Sequence, residues 1–171
     1  HISKPTLPSS KAFSCETDPT DGSVWVGFFD GAGDLLRLDP SSGEWESHRQ
    51  MLKTGVVSDI YIDPGGDVFF GEYTVGFGVL CKDGTVVHYA AGDGYSCITT
   101  KCITEIGPGP GGSFLLGGYV SPSEGCFAEV AMWNLGLKCS DDKTDDHCTV
   151  WTPVAGWPQG NAYHLTTDPY G

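Results

Sequence analysis

The chemistry available to this chain of 171 residues rests on few side chains. Glu72 and Tyr73 stand together just after an apolar stretch. A carboxylate so placed can ligate a hard cation such as Mg²⁺ or Ca²⁺, or act as a general base; a salt-bridged or solvated Glu is the alternative. Asp30 and Asp34 flank Gly31-Ala32-Gly33. That spacing suits oxygen coordination of such an ion, with Asp30 as a candidate ligand, and equally suits an ordinary turn. Asp141, Asp142, Asp145 and Asp146 crowd the stretch 140–147, which lacks the Gly and terminal Glu of an EF-hand loop and reads as a solvated loop.

Aromatic residues form a second group. Phe28, Phe29, Tyr73, Phe77, Tyr95, Tyr119 and Trp157 are expected on one face, where aromatics beside polar groups suit sugar rings or flat apolar ligands. Plugging gaps between sheets is the alternative. Seven cysteines are an odd number, so at least one thiol has no partner within the chain. Cys139 and Cys148 bracket the acidic stretch, Cys97 and Cys102 can close a tight loop, and Cys81 and Cys126 can tie two repeats together. Cys15 is then left over.

The elements that must position these residues come from a repeated phrase. Gly22–Gly27, Gly66–Gly71 and Gly112–Gly117 each read as a turn glycine, a polar residue, three apolar residues and a closing glycine. The turn glycines recur 44 and 46 residues apart, the period of β-propeller blades. Alternation predicts strands at 13–17, 23–27, 35–39 and 45–48, then 57–63, 67–71, 79–82 and 85–89. A third set is predicted at 102–106, 113–117, 128–134 and 149–152. The segment 162–167 opens a fourth blade. The fold expected is all-β, a propeller of about three four-stranded blades plus the first strand of another, half of a six- or seven-bladed ring. A flexible lead-in is expected over 1–11, with blades at about 12–50, 57–91, 101–153 and the next beginning at 162–171. Loops joining second to third strands should share one face with the connections between blades. His164 falls in an innermost strand, near the channel wall, and a histidine hydrogen-bonded there is its plain structural reading. His48 and His88 fall in outer strands and are expected on the exposed rim.

The phrases Asp18–Val26, Asp63–Phe70, Leu35–Trp45 and Trp157–Asn161 resemble those of the streptogramin B lyase (virginiamycin B lyase) type of propeller, and more loosely NHL and gluconolactonase-type propellers. The resemblance implies a histidine and a carboxylate acting with a divalent metal (Mg²⁺ or Ca²⁺) in the channel to open a cyclic ester. Glu72 and His164 are the residues that match such roles. It also implies more blades than this chain supplies, so a second chain or a missing half is expected to close the ring.

A formal net charge of -13 with only 9 Lys plus Arg argues against nucleic acid and anionic membranes as partners. The cysteine count, with no paired C-x-x-C spacing, points to a secreted chain. The function that the resemblance implies, and the one expected, is a lyase- or lactonase-like enzyme acting on a cyclic ester or related small molecule; the alternative is a non-catalytic propeller that binds a glycan or another small ligand.

Overall fold

The computed structural model describes residues 11–28, 34–73, 75–90, 103–108, 113–118, 130–134 and 152–153. They form three antiparallel four-stranded sheets, each in sequential strand order. Sheet 1 contains β1 (Ala12–Thr17), β2 (Val24–Phe28), β3 (Leu35–Leu38) and β4 (Trp45–Ser47). Sheet 2 contains β5 (Val57–Ile62), β6 (Val68–Glu72), β7 (Gly76–Leu80) and β8 (Val86–Ala90). Sheet 3 contains β9 (Ile103–Pro108), β10 (Ser113–Gly118), β11 (Val130–Asn134) and β12 (Thr152–Pro153). The first strands of successive sheets pack together, β1 on β5 and β5 on β9. That is the radial arrangement of propeller blades around an axis. The segment 162–167 lies outside the described residues.

Burial follows from this stacking. A sheet covered on both faces needs no polar side, and every residue of β6 is buried. Its alternate side chains feed two separate cores. Val68 and Phe70 join Trp25, Leu35, Val57, Ile60 and Ile62 on the side of blade 1. Phe69 joins Phe77, Val79, Val87, Tyr89 and Ile106 on the side of blade 3.

The closing glycine of the first repeated phrase has a packing cause. A Cβ on Gly27 would lie 2.6 Å from Cγ1 of Val57, the first residue of the next blade's inner strand. Only a bare backbone lets blade 2 approach this closely. At the opposite end of the blades, side-chain carboxylates close the turns. Asp18 Oδ1 accepts from Thr20 N at 2.7 Å, and Asp63 Oδ1 accepts from Gly65 N at 2.8 Å and Asp67 N at 3.0 Å. Gly66 then takes φ 89°, which an L side chain resists.

β7 departs from the sequence expectation at its start: it begins at Gly76, three residues before the predicted Val79. Gly76-Phe77-Gly78 lacks strand propensity, yet the Phe70 ring lies over Gly78, where a Cβ would be 2.2 Å from its Cζ. Packing decides the matter there.

Gly27→Ala should cost about 1–3 kcal/mol by overpacking the blade 1–blade 2 seam. Pairing it with Val57→Ala, which removes the clashing methyl, should make the double variant more stable than the sum of the two single losses. Urea midpoints of the four proteins check this.

Candidate functional site

The β6–β7 connection meets the blade 1–blade 2 connection, as the blade logic requires, and Glu72 is where they join. Its side chain is fully buried, at 0% exposure. Oε2 accepts from Lys53 N at 2.6 Å, Thr54 N at 2.9 Å and Thr54 Oγ1 at 3.4 Å. Oε1 lies 3.1 Å from Nδ1 of His88. His88 also meets the edge of the Phe70 ring, with centroids 5.9 Å apart. The carboxylate therefore clamps the loop over 49–56 onto blade 2.

This arrangement does not fit a metal ligand. A hard cation wants several oxygen donors with lone pairs to spare, whereas Oε2 of Glu72 is taken by two backbone N–H groups and Oε1 faces Nδ1 of His88 at 3.1 Å without a hydrogen bond. No group of three or more His, Cys, Asp or Glu among the described residues is placed to hold a metal ion. Asp34 is likewise spent within the fold: Oδ1 accepts from Leu35 N and Oδ2 from Ser47 Oγ.

Two of the predicted ligand-face aromatics are not exposed. Phe28 and Phe77 are each 1% exposed, and Phe77 stacks on Tyr89 with centroids 4.9 Å apart. Phe77 plugs the seam between blades 2 and 3, because a bladed fold has more apolar surface between its sheets than at its ends. Tyr73 differs, at 39% exposure directly beside the buried Glu72. Phe29, Asp30, Tyr95, Tyr119, Trp157 and His164 lie outside the described residues. Cys81 is disulfide-bonded, while Cys97, Cys102, Cys126, Cys139 and Cys148 also lie outside the described residues. Cys15 is a free thiol.

The expectation of an exposed rim fails for both outer-strand histidines. His88 turns inward to Glu72. His48 keeps only 12% of its side chain accessible, with its ring 4.9 Å from that of Trp25. This partial burial holds its pKa below the ordinary histidine value, against the opposing pull of Glu46.

A polar residue the sequence reading passed over is Asp59, in the inner strand of blade 2. Oδ1 accepts from Ser14 Oγ at 3.0 Å, and Oδ2 accepts from Ile106 N at 2.6 Å. Ser14 Oγ in turn accepts from Ile60 N at 3.1 Å. One carboxylate thus joins the inner strands of all three sheets. The one hint in the sequence is an acid inside the otherwise apolar and hydroxyl-bearing strand Val57–Ile62.

No family model matches the chain, and no curated protein matches it in sequence. Solved structures do. The chain is similar to virginiamycin B lyase from Staphylococcus aureus, with a TM-score of 0.57 and 14% identity over 74% of this chain and 39% of that one. It is similar to the extracellular domain of a protein described as a hybrid two-component system from B. thetaiotaomicron (TM-score 0.68, 16% identity, 97% of this chain, 20% of that one). A third likeness is to the extracellular domain of a protein described as a one-component system from the same organism (TM-score 0.54, 23% identity, 68% of this chain, 16% of that one). The chain spans well under half the length of each. At these identities the shared property is the β-propeller fold.

His48 sets a pH dependence. Its lowered pKa means that the folded protein binds fewer protons there than the unfolded chain does, so stability falls as pH drops below about 6.5. The wild-type Tm should decline through that range, and His48→Gln should flatten the decline. Thermal melts across pH, with both proteins in one buffer series, check the difference in slope.

Proposed function

We propose that the chain is part of an extracellular β-propeller that recognises a neutral polar ligand, a glycan or a comparable small molecule, at the loop-bearing end of its channel without turning it over. One observation carries the reading. Glu72, the carboxylate best matched to a catalytic role, is fully buried and holds a loop in place, while Tyr73 beside it stays open to solvent. A clamped loop presenting a tyrosine is what a binding surface needs: a rigid edge with an aromatic face and a hydroxyl. Two of the similar structures are extracellular domains, which supports an extracellular setting. The acidic composition favours uncharged ligands over anionic ones. Since propellers close with at least four blades, we propose further that a second chain or additional blades complete the ring.

Calorimetry against a panel of neutral oligosaccharides, with and without a chelator, tests the reading. A ligand should bind without added metal, and Tyr73→Ala should weaken it about tenfold, the worth of one aromatic contact. Metal-dependent opening of a macrocyclic lactone that is abolished by Glu72→Gln would instead establish the lyase-like function.

A further inference from the structure

A cleft of ≈ 250 Å³ separates blades 1 and 2 on the side away from the Glu72 clamp. Cross-strand pairing sets Trp25 opposite Arg37 and Arg37 opposite Glu46, so these three share the face of blade 1 that looks onto blade 2. Blade 2 supplies Val68 and Leu80, which are paired across β6 and β7, as an apolar wall. His48 lines the same cleft.

Two buried polar atoms among these lining residues have no hydrogen-bond partner among the described residues: Trp25 Nε1 and His48 Nε2. Trp25 is 3% exposed. Its indole N–H can only donate, whereas an imidazole nitrogen donates or accepts according to tautomer. Glu46 Oε2, 3.6 Å from His48 Nε2, is an acceptor at the rim. The other carboxylates of the cleft are already engaged. Asp18 Oδ1 accepts from Thr20 N and Oγ1, and Asp21 accepts from Ser23 N and from Arg37.

The requirement is therefore a molecule that accepts from an indole and donates to a carboxylate on the same face of the cleft. A cation leaves the indole unanswered. An anion meets Lys82 and Arg37, the latter already paired with Asp21, and must enter beside three carboxylates in a chain of net charge -13. Hydroxyl groups do both tasks without charge, and the C–H face of a compact ring can lie on Val68 and Leu80. The volume falls below the roughly 300–1,000 Å³ of sites for drug-sized molecules and suits a single ring. We propose that the cleft between blades 1 and 2 binds a neutral polyhydroxylated ring of about one monosaccharide unit, held by Trp25 Nε1, His48 Nε2 and Glu46. This site is separate from the Tyr73 surface and does not rest on the reading of that surface.

The indole N–H resonance of Trp25 reports on the site directly. It is followed in the ¹⁵N-labelled full chain during titration with methyl glucopyranoside, myo-inositol and acetate, and assigned with Trp25→Phe or by triple-resonance spectra. The expected result is a saturable shift with the glucoside or inositol. It should be about tenfold weaker in Glu46→Gln, whose side chain is exposed, and unchanged in Tyr73→Ala. Absence of a saturable shift with either neutral ring would overturn the proposal, as would a shift produced by acetate alone.

Discussion

A propeller blade cannot bury both of its faces by itself, so the structure depends on what holds neighbouring blades in register. Apolar contact supplies most of the energy but little direction. Direction comes from the Asp59 carboxylate, which takes a hydroxyl from β1 and a backbone N–H from β9 while sitting on β5. Charge-assisted bonds of this kind are short and geometrically demanding. They fix the rotation of each inner strand about the axis. The seams then pack as they do, with Val57 against bare Gly27 and the two faces of β6 feeding two cores.

The Glu72 clamp applies the same logic at the end of the blades. A buried carboxylate is costly unless its oxygens are satisfied, and backbone N–H groups at 53 and 54 satisfy Oε2 of this one, while Oε1 faces His88. The effect is to order a connection that would otherwise cross the open end of the seam. The carboxylate expected in a catalytic role is thus buried and bonded to the loop it holds. What it leaves exposed is the Tyr73 edge, on which the proposed recognition rests.

The blades were legible in the sequence because alternation and a closing glycine coincide in all three, joined by Asp-anchored turns in the first two. Strands in the first sheet fall within a residue or so of the expectation, since Val24, Leu35 and Trp45 each start a clear run after a turn. β7 was misjudged at its start because its glycines exist to admit the Phe70 ring, a demand made by a different strand. The site was much less legible. Glu72 is answered by main-chain N–H groups at Lys53 and Thr54, and these carry no mark in a sequence. Phe28 and Phe77 look like ligand aromatics by position, yet a seam between sheets consumes aromatic rings just as readily. Asp59 and His48 act through partners about 45 and 23 residues away, beyond any local pattern.

Native-state hydrogen exchange in wild type and Asp59→Ala tests most directly whether one carboxylate holds three blades in register. The account predicts that amides of β1, β5 and β9 lose protection together when the carboxylate is removed, because each inner strand is positioned through it. Loss confined to the Ile106 amide, with β1 and β5 protected as in wild type, would contradict it and reduce Asp59 to a single local hydrogen bond.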